Sequence, residues 1–103
     1  MAEQHELLNH PMARARIIEL AAFTVSPAHY HTNVHEYIVC LEGEIGLLAG
    51  DGGDPTLLRP GDHVDIATPT VHWLRNDTDR IARYLLVQSG GIYDFVTVDR
   101  KDA

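Results

Sequence analysis

Turn-forming residues punctuate this chain so closely that no long element fits between them. Beyond residue 25, breaks fall at Ser26-Pro27, Glu42-Gly43, Gly50 to Pro55, Arg59-Pro60-Gly61-Asp62, Thr68-Pro69, Asn76 to Asp79 and Gly90-Gly91. Each proline fixes its own φ and restricts the residue before it, so regular structure stops there. The segments left over are short, alternate in polarity and are rich in Val, Ile, Leu and Tyr. Strands are predicted over His35 to Leu41, Glu44 to Ala49, Thr56 to Leu58, His63 to Ile66, His72 to Arg75 and Ile81 to Val87. A further strand carries His29 and His31, and Ile92 to Val98 forms a last strand or a short lid. ARARIIELAAF (Ala13 to Phe23) fits helix propensity as well as alternation, and its all-strand context favours a strand from Arg16 to Val25. About eight or nine short strands between Gly/Pro turns imply an all-β sandwich or barrel.

With 103 residues the chain has room for one domain. It divides into an N-terminal arm, flexible or briefly helical, over 1–12, a barrel over 13–99 and a fraying tail over 100–103. His5 and His10 are expected to be solvated on the arm. A formal charge of −7, with scattered basic residues, argues against nucleic acid, because phosphate binding needs clustered Lys and Arg. No apolar run approaches the roughly 20 residues that cross a bilayer, and the N-terminus lacks the basic start and apolar core of a signal peptide. Cys40 stands alone, so no intrachain disulfide forms. A cytoplasmic protein without a membrane partner is expected.

The richest chemistry lies in HYHTNVHEYIVCLEG, His29 to Gly43. In an extended segment residues two apart share a face, so His29 and His31 aim together and Tyr30 aims away. Glu36 arrives just past a turn, and His72 is the distant residue able to close the set. Three imidazoles and a carboxylate suit a divalent transition metal, and the single carboxylate leaves the ion net positive. The spacing does not distinguish Fe, Mn, Ni, Co or Zn. On the strand after Glu36, Ile38 and Cys40 share its face, while Tyr37, Val39 and Leu41 share the other. Both faces are apolar, so cover is expected on both sides. His35 and Trp73 fall out of phase with the ligands, and Trp73 is expected outside the barrel or at a subunit contact. His63 is expected at the surface and Cys40 in the core. Tyr93 and Asp94 reach the barrel mouth if the last segment folds over it.

The pattern HxHx4Ex6G at His29, His31, Glu36 and Gly43, followed by Pro60-Gly61-Asp62 and by Hx3N at His72 and Asn76, resembles the two motifs of the cupin superfamily. The similarity spans roughly Val25 to Val87. It implies a double-stranded β-helix, a small jelly-roll barrel, with His29, His31, Glu36 and His72 as metal ligands and Gly43, Gly61 and Asn76 as scaffold. Two departures stand out. Phe23 occupies a position that is usually glycine, which implies a reshaped entry loop. Ala67 and Pro69 replace the usual proline and glycine ahead of His72.

A metal with free positions can polarise a carbonyl or enolate, or bring oxygen and substrate together. Small cupins include dioxygenases, isomerases, epimerases and lyases, so the fold alone does not choose the reaction. A dioxygenase-like enzyme acting on a small organic molecule is the leading expectation. HEYIVCLEGEIGLL, LLRPGDHVDI and VHWLRN also resemble sensory cupin domains of helix-turn-helix regulators. With no room here for a DNA-binding domain, that reading implies a free-standing ligand-binding module. The Tyr37/Val39/Leu41 face and the Ile17/Ile18/Leu20 segment offer apolar surface for a homodimer.

Overall fold

Alternation along each strand sorts these side chains into an inside and an outside. The computed structural model describes residues 2–50 and 54–98 and contains eleven strands and no helix among them. They are β1 (Ala2–His10), β2 (Ala13–Leu20), β3 (Thr24–Val25), β4 (His29–Tyr30), β5 (His35–Glu42) and β6 (Ile45–Ala49). Next come β7 (Thr56–Leu58), β8 (His63–Ile66), β9 (His72–Asn76), β10 (Ala82–Ser89) and β11 (Val96–Thr97). One sheet runs β1-β2-β10-β5-β8; the other runs β11-β4-β9-β6-β7, with β3 added to β9. Neighbours such as β2 and β10 are distant in sequence, so the chain crosses repeatedly between the sheets. The result is the all-β double-stranded β-helix that the sequence implies.

Even-numbered residues of β2, β5 and β10 point inward. Ile18, Leu20, Ile38, Cys40, Ala82, Tyr84 and Leu86 meet Ile45, Leu47, Leu58 and Leu74 from the opposite sheet in one core cluster. The β5–β10 register sets Ile38 beside Leu86 and Cys40 beside Tyr84. Near the ends of the same strands the inward positions turn polar, with Glu36 beside Gln88 and Gln88 beside Arg14. The barrel therefore has an apolar floor and a polar mouth.

Several expectations are corrected. Residues 2–10, read as an arm or short helix, form β1, an edge strand antiparallel to β2 with a bulge between Glu6 and Leu8. HELLNH lacks alternation; the free backbone groups along β2 impose the pairing instead. His5 and His10 are exposed on it, as expected. The strand expected from Arg16 to Val25 starts earlier and stops at Leu20, before Phe23 at φ 54°. Phe23 thus keeps the left-handed backbone that glycine would favour, with its ring 70% exposed. Ile18 and Leu20, expected to offer surface to a partner, are core residues, and Ile17 is half-buried. Trp73, expected outside the barrel or at a subunit contact, alternates with the inward His72 and Leu74 and stays out of the core cluster, yet it is buried within the one chain. The outer face of β5 is only partly covered, with Tyr37 and Val39 half-buried and Leu41 exposed. Within the Gly50 to Pro55 loop, residues 51–53 lie outside the described residues, as does the 100–103 tail; β6 and β7 pair as a hairpin around that loop.

Two motif positions hold the frame. Gly43 sits at φ 78°, and a Cβ there would come within 3.1 Å of Ala82, so both conformation and space call for glycine. Asn76 is fully buried and binds the turn after β9 to the end of β2. Its amide donates to the carbonyls of Leu20, Ala21 and Arg80, and its oxygen accepts from the Thr78 amide and hydroxyl. Replacing Asn76 by Ala strands several of these buried groups and is expected to cost about 3 kcal/mol. Urea unfolding checks this: the midpoint should fall with an unchanged slope.

Candidate metal centre

The two sheets bring four side chains from three strands and a connecting loop to one point. His29 lies on β4 directly across from His72 on β9. His31 follows β4, and Glu36 is the first inward residue of β5. Their ligand atoms all lie within 4.8 Å of one another. His31, Glu36 and His72 are buried, while His29 is half-buried at the rim.

Backbone carbonyls fix all three rings. Nδ1 of His29 lies 2.9 Å from the Pro27 carbonyl, and Nδ1 of His72 lies 2.8 Å from that of Thr70. Nδ1 of His31 is hydrogen-bonded to the Asp94 carbonyl. An oxygen acceptor at Nδ1 draws the ring proton there, which leaves the Nε2 lone pair free for a metal. Glu36 faces two of those lone pairs, with Oε2 2.9 Å from His31 Nε2 and Oε1 2.5 Å from His72 Nε2. Oε1 is buried and accepts no regular hydrogen bond. Acceptor lone pairs this close repel unless a proton or a cation lies between them. Gln88 is fully buried beside them and donates from Nε2 to Glu36 Oε2 at 2.7 Å.

Electrostatics agree with this arrangement. Burial alone would raise the Glu36 pKa, but the His31 and His72 rings, when a proton sits on the nitrogen facing it, outweigh burial and hold the carboxyl well below the usual range. Burial likewise opposes charge on His31, yet Glu36 and the Asp94 carbonyl raise its pKa overall. For His29 burial prevails and the pKa is lowered, which keeps that ring neutral. The donor chemistry, the fixed tautomers and the unsatisfied carboxylate oxygen together fit a divalent transition metal held by His29, His31, Glu36 and His72.

The segment after β10 closes over this centre. The Asp94 carboxylate accepts from the Thr32 amide at 2.8 Å and its hydroxyl at 2.6 Å, and β11 pairs with β4. Phe95 stacks on His29 with centroids 4.2 Å apart, and Tyr93 lies 5.5 Å from the His31 ring. Tyr93 and Asp94 therefore reach the mouth, and the segment is both of the alternatives expected: a covering stretch at 93–95 followed by the short strand β11. A cavity of about 210 Å³ remains beneath it, walled by Ile18, Ile38, Leu74, Tyr84 and Leu86 as well as the four ligands.

The other singled-out residues stand apart. His35 is exposed and pairs with Asp65 at 2.8 Å; His63 is exposed; Tyr30 is half-buried; and Cys40 is buried in the core, where burial raises its pKa. Sequence reasoning missed Gln88, Arg16 and Phe95. Extending the even-numbered alternation of β10 and β2 would have found the first two, whereas Phe95 carries no comparable signal.

A family model described as "Cupin domain" matches residues 16–88. The chain belongs to the cupin family. No curated protein matches it. Among solved structures, this cupin resembles a conserved protein with a double-stranded β-helix domain from Klebsiella pneumoniae, at TM-score 0.84 and 17% identity over 96% of this chain and 85% of that one. It also resembles the polyketide cyclase RemF from Streptomyces resistomycificus, at TM-score 0.82 and 22% identity over 98% and 73% of the two chains. A sugar phosphate isomerase of the cupin superfamily from Silicibacter pomeroyi aligns at TM-score 0.69 and 22% identity, over 89% and 69%. At these identities the likeness establishes the fold.

Changing His31 to Ala should abolish stoichiometric metal by elemental analysis while far-UV circular dichroism keeps the β signature. Proton linkage supplies a second test. In the metal-free protein a proton on His31 occupies the lone pair a metal needs, so metal affinity should rise as pH climbs through the raised His31 pKa. Calorimetry in buffers of different ionisation enthalpy should find about one proton released per ion below the ordinary imidazole pKa of 6.5, and fewer as pH rises through the raised His31 value. The stabilising effect of the lowered Glu36 pKa is present above the ordinary value of 4.5 and is lost as pH falls toward the folded value. Thermal midpoints of metal-free protein should decline over that acid range.

Proposed function

We propose that this cupin is a metal-dependent enzyme acting on a small organic molecule, with dioxygenase-type chemistry. The carrying observation is an apolar cavity opening directly onto three tautomer-fixed imidazoles and one carboxylate. When bound, the metal supplies Lewis acidity and, if it is redox-active, electron transfer. The chain's own residues do the rest. Pro27, Thr70 and Asp94 carbonyls hold the ligand rings, Gln88 orients Glu36, and Tyr93 and Phe95 shield the centre from water.

The wall composition favours oxygen chemistry over proton shuttling. Among the described residues, the cavity wall holds no acid or histidine beyond the four ligands. An isomerase or lyase needs a general base or acid placed against the substrate, and the hydroxyls of Ser26, Tyr84 and Tyr93 are the groups left for that role. Burial pushes the Tyr84 pKa further up, away from the range of an effective base.

In this reading the protein is cytoplasmic and works as a homodimer. Leu7 and Leu8 on the edge strand β1, 59% and 49% exposed, and Leu41 on β5 supply apolar surface for a two-fold partner. Sedimentation at micromolar concentration should show the dimer, and a monomer throughout would remove this part. Oxygen-electrode traces of iron-loaded protein with a panel of small organic acids and enols should show substrate-dependent uptake, lost in the His72→Ala variant. Turnover without oxygen uptake would indicate an isomerase or lyase, and binding without turnover a sensor.

A further inference from the structure

Arg16 stands on β2 among the inward-facing residues, in register with Leu86, and lines the same cavity as the metal ligands. Its guanidinium is held but not neutralised. Nη1 donates to Gln4 Oε1 at 2.7 Å and Nη2 to Gln88 Oε1 at 3.3 Å, and both acceptors are uncharged amides. Nε is buried and has no hydrogen-bond partner. Arg59, Arg75 and Arg83 each reach a carboxylate, but among the described residues no ion pair involves Arg16, in a chain with 15 acidic residues.

Glu6 stands across from Arg16 in the β1–β2 register without forming an ion pair with it, and Gln88 stands between Arg16 and Glu36, the acid inside the barrel. Its amide oxygen faces Arg16 while its nitrogen is spent on Glu36 Oε2. The amide therefore relays orientation without letting the opposite charges collapse together. A partly buried cation with a free N–H, opposite a metal centre and above an apolar floor, is costly unless an anion completes it. Guanidinium is also the side chain best shaped for a carboxylate, which it grips through parallel N–H bonds.

We propose that Arg16 anchors the carboxylate of a small apolar monocarboxylate, whose hydrocarbon body fills the space against Ile18, Ile38, Leu86 and Phe95. This inference rests on reading the cavity as the substrate pocket and narrows the substrate class to organic acids. A cavity of about 210 Å³ suits a ligand the size of a single ring or a short branched chain.

Isothermal titration with benzoate and with its neutral analogue benzamide tests the proposal, using metal-free and zinc-loaded protein in parallel. Benzoate should bind both forms better than benzamide. Arg16→Gln should weaken benzoate about tenfold or more and leave benzamide unchanged. Gln4→Glu keeps Arg16 but sets a carboxylate against its guanidinium, and should weaken benzoate in the same direction even if Arg16→Gln folds poorly. Zinc content should stay stoichiometric in both variants. Equal affinity for benzoate and benzamide in the unaltered protein, or benzoate affinity untouched by both substitutions, overturns the proposal. A protein that takes up no zinc yet shows carboxylate selectivity through Arg16 would sink the metal reading alone.

Discussion

The confrontation between the Glu36 carboxylate and two imidazole lone pairs organises the mouth of this barrel. Burial removes the water that would otherwise screen these groups, so the short approaches at His31 and His72 demand a positive species between them. In the metal-free protein a proton on His31 meets that need. A divalent ion meets it more fully, because one cation satisfies all four donors together. Metal affinity, proton affinity and local stability are thus three expressions of one electrostatic constraint.

The barrel supplies what this constraint requires in two different ways. His29 and His72 are oriented by carbonyls two residues earlier in the chain, so the local turn fixes each tautomer. His31 takes its carbonyl from Asp94, 63 residues away, and so depends on closure of the C-terminal segment. That closure also brings Phe95 onto the His29 ring and ties Thr32 to the Asp94 carboxylate. The lid and the ligand set are therefore mechanically linked: loosening 92–98 would free a ligand as well as open the cavity.

The transition from apolar floor to polar mouth follows from one parity rule. Along β2 the inward residues run Leu20, Ile18, Arg16, Arg14, and along β10 they run Ala82, Tyr84, Leu86, Gln88. Each strand contributes hydrocarbon at one end and hydrogen-bonding groups at the other. The gradient lets a small domain keep a continuous core while gathering its buried polar groups at one end. It also places Arg16 where hydrocarbon and polar layers meet, the location suited to an amphipathic acid.

Much of this was legible in the residue order, because strand alternation and Gly/Pro breaks act locally. The four residues of the candidate metal site, the scaffold roles of Gly43 and Asn76, and most strands of the barrel can be read without coordinates. Long-range pairing cannot. β1 becomes a strand only because β2 offers a free edge, Trp73 finds its register partner Leu48 only once β9 lies against β6, and Gln88 matters only once β10 lies against β5 at a particular register. Residue order determined which side chains could form a site. Tertiary structure decided which of them share one buried volume, since burial and opposing charge arise only when separated strands meet.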